Sequence, residues 1–174
     1  MVLFFETKQD FNFDFETTSL AYLNRYPNPY AKHVLSADTL DYQIDSHGQL
    51  CTTRLIVKTG RLPKFIRPFL GVSNVNSWIL EKLVINPKTN TLHSYTSNID
   101  HRRFIKVEEY LKYKGDPVSG STTLEAKVKF SSNFFGLKSK IEEWSHSRFS
   151  TNIQNSRDGL HYVMTKLKQR NKAV

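Results

Sequence analysis

The chain has 174 residues, 39% of them hydrophobic and 13% aromatic, with a formal net charge of +9. This length suits one domain with room for a sizeable core, or for a core with a hollow in it. The positive excess favours an anionic partner such as nucleic acid, anionic lipid or an acidic protein. No apolar run approaches the roughly 20 residues of a bilayer-spanning helix, and Cys51 stands alone, which excludes an internal disulfide and a cysteine metal site.

The opening stretch, MVLFFETKQDF, has neither the n- and h-regions of a secretory signal nor the Arg-rich, acid-poor look of a matrix presequence. There is no Asn-x-Ser/Thr acceptor either, so the expectation is a protein outside the secretory pathway. Phe11, Phe13 and Phe15 alternate with Asn12 and Asp14, the pattern of a half-buried strand. Residues 16–26 are expected to form a short helix capped by Thr17 or Thr18 and stopped by Tyr26-Pro-Asn-Pro-Tyr30. Strands over 33–45 and 49–60 flank the turn Ser46-His-Gly48. In the second of these, Leu50, Thr52, Arg54, Ile56 and Lys58 share one face, and Cys51, Thr53, Leu55, Val57 and Thr59 share the other. Both faces are partly apolar, which predicts that both are covered.

Residues 61–71, RLPKFIRPFLG, follow. Leu62, Phe65, Ile66, Phe69 and Leu70 fall at helical spacing on one face, opposite Lys64 and Arg67, with Arg61 just ahead. Pro63 suits a first helical turn, Pro68 makes any helix short and bent, and Gly71 supplies a left-handed exit. Such a segment either docks on the domain's own core, touches an anionic membrane, or covers an apolar cavity. Base rates favour the first.

Further strands over 72–85 and 91–99, then 103–114 and 121–131, are joined by short turns, so the pairing is antiparallel. From Phe134 the period changes. Leu137, Ile141, Trp144, Ile153, Leu160, Val163 and Leu167 follow helical spacing, with Phe149 between, which predicts one helix of about 30 residues, near 45 Å long. The order of strand, helix, six strands and long helix points to an α+β fold in which a curved antiparallel sheet grips the C-terminal helix.

No phosphate loop, nucleophile elbow or zinc-protease motif is present, and the six histidines are scattered without i,i+3 or i,i+4 pairing. Glu108 and Glu109, adjacent on a strand, point to opposite faces and cannot form a dyad. The chain reads as a non-enzyme. Arg54 and Lys58 share a face with aliphatic residues, so they either snorkel to an edge or meet an anion inside. Arg25 and His33 flank the proline turn near one sheet end, and Arg148, Asn152 and Asn155 face one direction on the long helix. Cations and amides converging from several elements would suit a phosphate.

Arg25-Tyr-Pro-Asn-Pro-Tyr30 followed by His33-Val34, Thr53-Arg-Leu55, Trp78 with Glu81, Asn86-Pro87, Lys106-Val-Glu-Glu-Tyr110 and Val128-Lys-Phe-Ser131 resemble the PRELI-like (Ups) family. So does Lys138-Ser-Lys-Ile-Glu-Glu-Trp-Ser145 with Arg148-Phe149, Asn152 and Ser156-Arg157 spaced after it, and the likeness runs nearly end to end. It is nearest the fungal member that carries phosphatidic acid. The resemblance implies a single domain over 1–174: a curved seven-stranded antiparallel sheet with a long helix over about 135–168 and a short lid over about 62–72, enclosing a lipid cavity. It implies a lipid transfer protein of the mitochondrial intermembrane space, peripheral to the inner membrane, that feeds cardiolipin synthesis. The implied partners are a small helical protein with twin cysteine motifs and an anionic membrane surface, with no cofactor beyond the transported lipid. Carried over by position, Arg25, His33, Arg54, Lys58, Arg61, Arg148 and Asn152 would bind the headgroup. Arg61 and Arg148 stand where close relatives can carry Lys, and Asn155 also stands where a relative has Lys. Leu62, Lys64, Phe65, Ile66, Arg67, Phe69 and Leu70 would form the lid and meet the membrane. The alternatives are phosphatidylserine transfer within the family and, more distantly, a basic nucleic-acid-binding or scaffold domain.

Overall fold

A computed structural model describes residues 1–134 and 136–172. Strand β1 (Val2–Phe11) leads into helix α1 (Phe15–Leu23), then β2 (Val34–Ile44), β3 (Leu50–Arg61), the single turn α2 (Arg67–Leu70), β4 (Asn74–Asn86), β5 (Thr91–Asn98), β6 (Lys106–Asp116), β7 (Ser121–Ser131) and α3 (Lys138–Lys172). The strands form one antiparallel sheet in the order β1-β7-β6-β5-β4-β3-β2. Strands β2 through β7 are neighbours in chain order. Only β1 crosses the molecule, pairing with the last strand from Val2↔Ser131 to Phe11↔Thr122.

Several expectations are corrected. The first strand stops at Phe11 because Asp14 caps α1, accepting from the Thr17 amide at 2.7 Å and the Thr17 hydroxyl at 2.9 Å. A carboxylate next to the helix's positive end outcompetes a threonine there. Thr18, the other expected cap, is buried instead and donates to Met164 Sδ. The helix ends at Leu23 rather than Tyr26, where Asn24 returns both its backbone N–H and its side-chain amide to Leu20 O. Phe11, Phe13 and Phe15 are all buried nonetheless, although only the first lies in a strand.

The expectation that both faces of β3 are covered also fails. Thr52, Arg54 and Ile56 are buried, whereas Cys51, Thr53, Leu55 and Val57 are only half-buried. A two-layer fold has one helical layer, so the outer face of the sheet stays open. That face and the β2 edge leave Leu35, Leu40, Ile44 and Trp78 exposed.

α3 has 35 residues, about 52 Å at 1.5 Å per residue, with its expected start at 135 outside the described residues. It is buried at Ile141 and Ser145 and again at Gly159, Leu160 and Met164, and nowhere between. The core is correspondingly split. One cluster joins Phe11, Phe13, Phe15, Tyr22, Leu92 and Met164 beneath α1 and the end of α3. The other joins Ile66, Ile105, Val128, Phe130 and Ile141 beneath the lid and the start of α3.

Candidate functional site

Between the two clusters α3 spans a cavity of about 300 Å³ without filling it. The reason is in the sequence. The positions that would face the sheet in the middle of this helix carry Arg148, Asn152, Asn155 and Ser156, all of which line the cavity in place of aliphatic residues. Ile56, Ile79, Val107, Leu111, Phe130 and Trp144 supply its apolar wall.

Of the headgroup residues expected from the sequence, Arg25, His33, Lys58, Arg61, Arg148 and Asn152 line this cavity, as does Asn155. His33 is fixed by its own carbonyl, which accepts from Thr59 N at 2.8 Å and so ties the proline turn to β3. A Cβ on Gly60 would lie 3.7 Å from Arg148 Nη2, so the α3 guanidinium reaches across to β3. Burial, together with Lys58 and Arg148, holds the His33 imidazole below its ordinary pKa. Among the described residues Lys58, Arg61 and Arg148 form no ion pair with a carboxylate. The result is a cluster of cations from two elements with no counter-ion, at the edge of an apolar hollow.

Arg25 and Arg54 differ from the others, because both are held by Glu81, which sequence reasoning did not single out as a site residue. Glu81 is fully buried and pairs with Arg25. It also accepts from Arg54 Nε at 2.6 Å and from the Tyr22 hydroxyl at 3.0 Å. Arg54 further donates to Leu23 O at 2.9 Å and lies beneath the cavity rather than on its wall. The Arg25 guanidinium sits between the Tyr22 ring at 4.0 Å and the Tyr26 ring at 4.6 Å and donates to Tyr22 O. Burial would push the Glu81 carboxyl up, but Arg25 and Arg54 outweigh it and hold the group below its usual range. Burial would likewise raise the Tyr26 phenol, and Lys58 and Arg25 reverse that shift. The sequence does carry a trace of Glu81. It occupies the inward phase of β4 with Ile79, Leu83 and Ile85, a charge where period two calls for an apolar residue.

The lid divides its apolar residues rather than presenting them on one face. Leu62, Ile66 and Leu70 line the cavity. Phe65 packs into the second core cluster, and Phe69 turns outward, 57% exposed, against Phe134 at 4.8 Å. Pro63 opens a turn closed by Ile66 N at 2.9 Å, and Pro68 stands near the start of α2 rather than ending it. Gly71 adopts the left-handed exit at φ 68°. Lys64 is exposed, while Arg67 folds back to donate to Leu62 O at 3.0 Å. No group of three or more His, Cys, Asp or Glu able to hold a metal occurs among the described residues.

The geometry can be set beside known proteins. The chain resembles TTHA0849 from Thermus thermophilus at a TM-score of 0.64, covering 95% of this chain and 99% of that one. At 11% identity this likeness concerns the fold alone, a sheet gripping a helix. In sequence it is 46% identical to "Protein UPS1, mitochondrial" of Saccharomyces cerevisiae over 97% of each chain. It is 40% identical to "Protein ups1 homolog" of Schizosaccharomyces pombe over 90% of this chain and 92% of that one. The model of the PRELI-like family matches residues 16–170, and the chain belongs to that family.

Proposed function

We propose that the protein is a mitochondrial phospholipid transfer protein that carries phosphatidic acid between the outer and inner membranes, across the intermembrane space, and so supports cardiolipin synthesis. The observation that carries this reading is the unpaired cation cluster of Lys58, Arg61 and Arg148, with His33 among them, at one side of an apolar cavity under a lid. Lys58 is half-buried, and a cation held there without an ion pair is costly unless an anion joins it, while the exposed Arg61 and Arg148 draw that anion from the cavity mouth. Arg25 lines the same space with its guanidinium between the Tyr22 and Tyr26 rings, held by Glu81, which Arg54 also binds. Asn152 and Asn155 add amide donors for the headgroup oxygens.

A cavity of about 300 Å³ lodges a headgroup and the start of its chains. The rest of the lipid requires the lid to lift. Phe69, Lys64 and Arg61 are the lid and rim groups exposed to a bilayer, where the aromatic ring inserts and the cations meet anionic headgroups. No covalent step is involved. The exposed Leu35, Leu40, Ile44 and Trp78 support a further element of the reading, a small helical twin-cysteine partner that covers apolar surface.

The test is transfer between vesicles by the purified protein, comparing phosphatidic acid with phosphatidylserine, and mass spectrometry of lipid retained through purification. Phosphatidic acid transfer that falls at least tenfold in Lys58→Gln/Arg148→Gln, with an unchanged melting temperature, is the expected result. Equal transfer by that variant would refute the headgroup assignment, and preferred phosphatidylserine would replace the cargo.

A further inference from the structure

One charged group inside the cavity has no place in this scheme. Glu109 lies on β6 in the inward phase shared with Val107, Leu111 and Tyr113, and it is the sole acidic side chain lining the cavity among the described residues. It stands in one row across the sheet with Glu81, through Glu81↔Thr96 and Thr96↔Glu109. The two carboxylates are treated very differently. Glu81 has two guanidinium groups and a phenol. Glu109 makes no ion pair among the described residues, and its half-open surface faces the hollow rather than bulk water.

The groups that act on it come from every side of the cavity. Lys58 from β3 and Arg25 from the proline turn favour its charged form, Glu81 from β4 opposes it, and Tyr113 lies near on its own strand. His33, His101 and Arg148 line the same space. Burial is the largest influence and moves its carboxyl upward. A phosphomonoester has its second ionisation near pH ~6, so its headgroup gains or loses a proton readily near neutrality. Two such anions in one enclosed space repel, and a single proton between them turns the repulsion into a hydrogen bond.

Building on the lipid-transfer reading, we propose that Glu109 sets the charge the cavity accepts. In the empty protein its carboxylate stands in the field of Lys58 and Arg25 without pairing with either. A phosphomonoester headgroup takes over those cations only when a proton is shared between it and Glu109. Loading therefore takes up a proton, and a monoester is distinguished from a diester, which has no second ionisation to share.

The test is calorimetric binding of short-chain phosphatidic acid at pH 7.5, repeated in two buffers of different ionisation enthalpy, for wild type and Glu109→Gln. Wild type is expected to take up more protons per lipid than the variant, by up to about one. His33 is present in both proteins, whereas the proton shared between the headgroup and Glu109 is lost in the variant, so the difference reports that proton. Glu109→Gln is also expected to bind the lipid roughly tenfold more tightly at pH 8, a gap that closes at pH 5. Should the amide perturb folding, the carboxyl carbon of Glu109 followed by NMR in wild type gives the same answer, with an apparent pKa that rises on loading. Equal proton uptake by the two proteins, or a Glu109 pKa unmoved by lipid, overturns the proposal while leaving the transfer reading standing. Failure of wild type to bind phosphatidic acid at all overturns that reading, and this inference with it.

Discussion

Replacing Glu81 with Gln removes one negative charge from between two guanidinium groups and changes almost nothing else in shape. The side chains of Arg25 and Arg54 are 11% and 7% exposed, so neither can turn to water once its partner is neutral. The amide also presents N–H groups where the carboxylate accepted from Arg54, Arg25 and Tyr22. Breaking a buried pair by removing one partner costs about 3–5 kcal/mol, and here two cations share the partner, so the upper part of that range applies. For a domain of this size each kcal/mol lowers the melting temperature by roughly 2–4 °C, so a loss of about 4–5 kcal/mol gives a fall of roughly 8–20 °C. Calorimetry or circular dichroism reads it directly. The Glu81 carboxyl is held below its usual value, so its contribution is present above the unfolded pKa of about 4.3 and disappears as pH falls through the lower folded value. The gap between wild type and variant is therefore flat from pH 8 to pH 5 and narrows below about pH 4. A variant that melts within about 2 °C of wild type at pH 7 would mean that water already solvates the cluster, and the argument for Arg25 as a fixed headgroup ligand would go with it.

The remaining expectations concern the lid, the imidazole and one close contact. Phe69→Ser is expected to weaken sedimentation with anionic vesicles while leaving thermal stability unchanged, whereas Phe65→Ser, within the second core cluster, lowers the melting point as well. Retained vesicle binding by Phe69→Ser would exclude that residue as a membrane contact. Burial, Lys58 and Arg148 disfavour the charged form of His33, and an entering anion restores it. Lipid affinity should therefore rise as pH falls from 8 to 6, and His33→Gln should lessen that slope in the same binding assay. Gly115 lies under α1, and a Cβ there would stand 2.4 Å from Phe15 Cβ, an atom too close to its backbone to swing away. Gly115→Ala should cost about 1–3 kcal/mol in chemical denaturation, and an unchanged midpoint would show that α1 is free to slide.

Alternation and turn chemistry make most of the fold legible. The last strand, 121–131, matches residue for residue, because Thr122, Leu124, Ala126, Val128 and Phe130 alternate without interruption and Gly120 ends the preceding turn. Asp14 escapes notice as a cap because Phe13 and Phe15 prolong the strand's alternation on either side of it. Polar inward positions on the long helix at Arg148 and Asn152 are readable as a site. The Glu81 cluster is not, since Glu81 stands 56 positions from Arg25 and 27 from Arg54 and meets them only through the fold. In sequence Glu109 invites comparison only with its neighbour Glu108. Its importance depends on which of the two faces the hollow, and that is decided by the pairing of β5, β6 and β7.

Of the thirteen positions of α3 between Ser145 and Gly159, none is fully buried and only Phe149, Ile153 and Asp158 are half-buried, so the scaffold places little demand on the other ten. Sequence there is free to drift under selection for cargo alone. A library randomised at positions 148, 152, 155 and 156 should yield mostly folded proteins with altered headgroup choice, separating what the protein carries from whether it folds. Here that independence follows from a helix anchored at its two ends and held between them mainly by Phe149, which packs on Phe5 at 4.9 Å.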